Sequence, residues 1–138
     1  MVDLDQGGSF AQQLKVYMGP TIGWVMFQVN PELDVTSAAA LVIQPFTSRV
    51  LLKAAVTSIT LPDVSAWMKA PFQQYTSGFD RSLWIKDFSG SAQANNITIT
   101  GFNAGAQKID GLSSFKIISN HALLRLYPLN DLSGWYSG

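Results

Sequence analysis

Between Leu83 and Tyr136, apolar and polar residues alternate in short bursts, each bounded by Gly, Asn, Asp or Ser. In Asn96–Thr100, Ile97 and Ile99 alternate with Thr98 and Thr100, the period of two that sends successive side chains to opposite faces of a β-strand. Ser114–Ile118 repeats the pattern, with Phe115 and Ile117 on one face and Lys116 on the other. In Ala122–Tyr127, Leu124 and Leu126 oppose Leu123, Arg125 and Tyr127. Gly101, Gly105, Asp110-Gly111, Asn120 and Asn130-Asp131 separate these runs, and such residues accept a positive φ or turn by bonding their own backbone. The alternation predicts three strands and a core of Ile97, Ile99, Ile109, Phe115, Ile117, Leu124, Leu126 and Trp135.

Upstream the pattern is less regular. Thr21–Val29 is apolar on both of its faces, which predicts a strand covered on both sides. Asn30-Pro31-Glu32 predicts a turn, Asp34–Pro45 a loop leading into a strand at Leu41-Val42-Ile43, and Arg49–Thr60 a strand rich in β-branched residues. Asp63 is placed to cap a helical turn over Ser65–Lys69. Otherwise the whole of Val64–Gly78 lacks a clean strand or helix period, and Pro71 blocks a helix through its middle. That segment predicts a long loop carrying Trp67, Met68, Phe72 and Tyr75. At the other end, Gly7, Gly8 and Ser9 interrupt any regular element in Met1–Gln13. These residues form a frayed tail, an arm ordered by a neighbouring chain, or a short helix begun by Ser9. The expected architecture is all-β: an N-terminal arm over 1–13 and, over 14–138, one β-sandwich domain of jelly-roll type.

Composition changes the picture at the surface. Of 138 residues, 47% are apolar and only 13% charged, about half the usual charged share. Either Ser, Thr, Asn and Gln cover the exposed faces, or much of the surface is buried against a partner. Acids and bases balance at nine each, so the electrostatic footprint of a nucleic-acid or membrane binder is absent. With no cysteine, neither disulfides nor thiolate-bound metal can staple the fold, which suits a reducing cytoplasm. The acidic start Val2-Asp3-Leu4-Asp5 is unlike a signal peptide.

Catalytic signatures do not emerge. His121 is the one histidine and follows Asn120 at a strand entry, the setting of a solvated turn residue. The acids are scattered singly, without the convergence that metal binding or paired-carboxylate catalysis needs. No phosphate-binding glycine loop or nucleophile elbow occurs. The expectation is a non-enzyme without catalytic residues, metal or cofactor. Asn96-Ile97-Thr98 matches a glycosylation acceptor but sits at the start of a predicted strand, and is read as coincidence. The aromatic residues of the loop fit core filling, a protein contact or a sugar-stacking platform.

The run IKDFSGSAQANNITIT, then QKIDG and SSFKI, then LLRLYPL and a closing GWY, resembles a β-module of tailed-bacteriophage virion proteins. It is similar to segments of capsid decoration (cement) proteins and of tail-fibre or receptor-binding proteins. The resemblance spans Arg81 to Tyr136, and its most recognisable parts are the Asp110-Gly111 turn and Gly134-Trp135-Tyr136. It implies a virion structural protein. The upstream residues fit no tail-fibre pattern, which favours a decoration protein bound to the outside of a capsid after synthesis in the host cytoplasm. The partners so implied are the major capsid protein and the chain itself, as a homo-oligomer with a dimer preferred over a trimer, and neither nucleic acid nor membrane. Leu4, Phe10, Trp67, Met68, Phe72 and Tyr75 are the expected interface residues. The alternative is a tail module that contacts host-surface glycan.

Overall fold

The computed structural model of the chain describes residues 2–7, 11–17, 24–29, 32–69 and 82–138, with side chains for the last two stretches. It is mostly β, with few helices. Strands β1 (Val2–Gly7), β2 (Ala11–Tyr17) and β3 (Trp24–Val29) form an antiparallel sheet in that order. The residues expected to form an arm thus lie largely in a hairpin, Val2 opposite Val16 and Gly7 opposite Ala11. Ala11–Tyr17 is strand, not the continuation of a helix begun at Ser9.

The remaining strands alternate between two further sheets. β4 (Glu32–Val35), β6 (Arg49–Leu52), β8 (Leu83–Asp87), β10 (Lys108–Ile109), β12 (Leu123–Pro128) and β13 (Gly134–Ser137) make a six-stranded sheet ordered β10-β13-β12-β8-β6-β4. β5 (Leu41–Val42), β7 (Ser58–Thr60), β9 (Ile97–Thr100) and β11 (Ser114–Ile117) make a four-stranded sheet ordered β11-β9-β7-β5. From β4 to β9 the chain visits the sheets in turn, and each strand lies parallel to the previous one in its own sheet. A jelly roll would be antiparallel throughout. Within these two sheets, the antiparallel pairs are β11 with β9, β12 with β8 and β12 with β13, while β10 lies parallel to β13.

The strand expected over Arg49–Thr60 is two strands in different sheets, β6 and β7, because Lys53–Thr57 leaves one sheet for the other. Of the turn expected at Asn30-Pro31-Glu32, Asn30 and Pro31 lie outside the described residues, and Glu32 begins β4.

Alternation selects the buried face of each sheet. Val50 and Leu52, Leu83 and Ile85, and Leu124 and Leu126 point inward from the six-stranded sheet. Ile59, Ile97, Ile99 and Ile117 do so from the other, and all belong to one apolar cluster. Of the expected core, Ile97, Ile99, Ile109, Ile117, Leu124, Leu126 and Trp135 are buried, while Phe115 is half-buried against the same cluster.

The expected helical turn is α1 (Val64–Lys69). The Asp63 side chain accepts the Ser65 N–H at 3.1 Å, and Gln107 secures the start of the helix by donating to Asp63 at 2.7 Å and accepting from the Val64 N–H at 3.0 Å. Val64 and Trp67, one helical turn apart, share the inward face. Trp67 is therefore not an exposed anchor. Its ring has no solvent exposure, meets Trp135 edge-on at 5.2 Å, and its indole N–H donates to the Thr47 carbonyl at 2.8 Å. Met68 is half-buried on the core.

Candidate functional site

Two arrangements bring chemically capable side chains together, and they sit on opposite faces of β8. The inward one centres on Asp87, which continues the buried phase of Leu83 and Ile85. It has no solvent exposure. Its Oδ1 accepts from the Ser89 hydroxyl at 2.9 Å and from the N–H groups of Gly90 and Ser91 at 3.1 and 3.4 Å. Its Oδ2 accepts from the N–H groups of Ala92 and His121, both at 3.1 Å. Burial pushes this carboxyl toward protonation, but the donors from Ser89, Ala92, His121 and Ser91 outweigh it and hold the pKa below the ordinary range. Gly90 has φ +71° and lies under the His121 ring, so a Cβ there would be both strained and in collision. Every donor to Asp87 comes from its own loop or from the turn before β12. The carboxylate is a fastening between two loops.

Other marked residues of this stretch are likewise fastenings. Asp110 and Gly111 both have positive φ, the geometry of a tight hairpin turn, and Ile109 and Leu112 exchange N–H···O bonds of 2.7 and 2.8 Å across it. The Asp110 side chain accepts the Ser137 N–H at 2.9 Å. At Gly134 a Cβ would run into the Lys108 carbonyl of parallel β10. Trp135 then enters the core and Tyr136 faces out. Asp131, fully exposed, is held below its ordinary pKa by the Ser133 hydroxyl and N–H, as suits a turn.

The outward arrangement lies on the other face of the six-stranded sheet. Strand register puts Glu32, Arg49, Trp84 and Arg125 in one row across β4, β6, β8 and β12. The Arg125 guanidinium carbon is 4.2 Å from the centre of the Trp84 ring and that of Arg49 is 5.8 Å away, both within cation–π range. The Trp84 indole N–H donates to the Ser82 hydroxyl at 2.6 Å. Two residues along β12, Tyr127 accepts from Arg125 at 3.3 Å and stacks on Tyr136 of β13, ring centres 5.2 Å apart and planes inclined by 20°. Among the described residues neither arginine makes an ion pair, whereas Lys53, further along the sheet, is bound to Asp34 at 2.6 Å. The row thus offers two guanidiniums over an indole with an aromatic shelf beside them.

Large apolar side chains are also left exposed, among them Phe46, Phe88, Ile118 and Leu123. Ile118 and Leu123 flank an open groove of about 220 Å³ whose walls include Phe115, Ile117, Ala122 and Leu124. Among the described residues no group of His and acid side chains is arranged to hold a metal ion.

Of the interface expected from the sequence, Trp67 lies in the core, while Met68 is half-buried against it with part of its surface exposed. Leu4 lies in β1, but its side chain is outside the described residues, as are Phe10, Phe72 and Tyr75 entirely. Sequence reading missed Asp87, whose signal was present: an acid on the buried phase of a strand, followed at once by Phe-Ser-Gly-Ser. It also missed the Arg49, Trp84 and Arg125 row, which only strand register assembles. No protein-family model matches this chain, and no curated protein matches it significantly.

Proposed function

We propose that this chain is a virion structural protein of a tailed bacteriophage, a decoration protein that binds the outside of the capsid and stabilises it through subunit contacts. The observation that carries this reading is the exposed apolar surface. Ile118 and Leu123, 59% and 49% exposed, border a groove whose walls are mostly apolar, with Lys116 and Ser119 among them, on a body that has few charges to keep it apart from other proteins. Its two larger sheets would be the layers of a β-sandwich, wound in parallel rungs and stiff enough to bridge neighbouring capsid subunits. A protein that binds only the assembled shell stabilises it by mass action, without any chemical step. Its partners are the major capsid protein and further copies of itself, a dimer before a trimer. The resemblance over Arg81 to Tyr136 supports the virion setting.

A second reading, a tail or receptor-binding module that contacts host glycan, is favoured by the arginine and aromatic face of the six-stranded sheet. Sedimentation of the purified protein with intact shells, run beside a glycan array, separates the two. Saturable shell binding supports decoration whether or not a glycan also binds, and glycan binding without shell binding supports the tail.

A further inference from the structure

We propose that the outer face of the six-stranded sheet, at Arg49, Trp84, Arg125, Tyr127 and Tyr136, is a binding site for a carboxylated saccharide. The inference stands on this face alone and holds for a chain on the shell or on the tail.

The chemistry begins with the guanidiniums. Both arginines lie within cation–π range of one indole, and Arg125 is further held by an N–H donated to the Tyr127 hydroxyl, which leaves its other N–H groups and those of Arg49 to face a ligand. Among the described residues neither has a carboxylate partner, although Glu32 is next to Arg49 in the register. A planar guanidinium binds a carboxylate through two parallel hydrogen bonds, and one already held in place loses less freedom in doing so. The face therefore has anion-binding capacity that no acid among the described residues uses.

The tyrosines narrow the ligand. Same-face residues two apart on a strand are separated by roughly 6.6 Å, so Tyr127 and the stacked Tyr136 lie about one sugar ring from Arg125. Tyr136 is 45% exposed and offers an apolar ring to the C–H face of a pyranose. A carboxylate on the arginines with a pyranose ring on the tyrosines describes an acidic sugar. A nucleic acid would need a longer basic stripe than these two side chains supply. An acidic peptide could satisfy the guanidiniums but leaves the tyrosine shelf without a role.

The test titrates the full chain with an oligogalacturonate, its methyl ester and a glutamate oligopeptide, following the Trp84 indole N–H by NMR. That signal is assigned from a Trp84→Phe variant. The oligogalacturonate is expected to shift it saturably, the neutral ester and the peptide binding at least about tenfold more weakly. Arg125→Gln and Arg49→Gln, with unchanged melting temperature, are each expected to weaken binding by about tenfold, with Arg125→Lys intermediate. Failure of the oligogalacturonate to bind at millimolar concentration would overturn the proposal. So would equal binding of the ester, equal binding of the peptide, or indifference to both glutamine substitutions.

Discussion

Asp87 shows why a buried charge can be structural. A carboxylate removed from water is costly unless its oxygens are met by donors, and here the loop that follows it and the turn before β12 supply them. Removing the acceptor strands those donors in the interior. Asp87→Ala is expected to cost about 3 kcal/mol or more in denaturant titration, and Asp87→Asn somewhat less, because the amide keeps only one acceptor oxygen. Since the folded-state pKa is lowered, the unfolded chain takes up the proton first as pH falls. The stabilisation from this group is complete above the unfolded value near ~3.9 and is lost as pH drops through the folded value. Denaturant midpoints should therefore fall less between neutral pH and pH ~3 in Asp87→Asn than in the parent. Trp67 gives a second check at this scale. Placed in the core against Trp135, it should cost about 3–5 kcal/mol when changed to Ala, measured on the isolated protein. An unchanged melting temperature would return it to the surface.

At the scale of elements, the fold depends on register. β9 and β12 place Ile99 and Leu124 inward and Leu123 outward, so Ile99→Ala should cost about 2–5 kcal/mol while Leu123→Ser stays within about 0.5 kcal/mol. Equal losses would mean that a strand has slipped by one residue and exchanged its faces. This part of the molecule was legible in the sequence because each strand has one buried face and a turn of recognisable chemistry beside it. Asp110-Gly111 and the capping of α1 by Asp63 were legible for the same reason: the cause is local. The parallel winding from β4 to β9 was not. The two returns within the six-stranded sheet differ in length, since the one from β6 to β8 carries β7, α1 and residues 70–81 while the one from β4 to β6 carries only β5 and short loops. Such a winding leaves no period in the chain. Trp67 was misplaced because a six-residue helix is too short to show an amphipathic stripe, and only the partner ring of Trp135 reveals which way it faces. The Arg49, Trp84 and Arg125 row was hidden for a related reason, as its members come from three strands that meet only through pairing.

For the whole molecule, the residues that carry the resemblance have structural work close at hand. Asp87 and Gly90 hold a loop, Asp110-Gly111 makes a hairpin turn, and Gly134 lets β13 approach β10 before Trp135 fills the core. These residues therefore serve the fold, and function must come from the surfaces they support. Those surfaces are an apolar groove and a face of arginines and aromatic rings. Both suit association, and association with a shell is the central claim. Its most direct test adds the purified protein, over a range of concentrations, to shells assembled from the major capsid protein of the same genome and separates bound from free by sedimentation. Decoration predicts saturable binding at a fixed number of copies per shell, accompanied by a rise in the shell's melting temperature that grows with occupancy. Protein that remains in the supernatant at every concentration, with the shell's melting temperature unmoved, would contradict it.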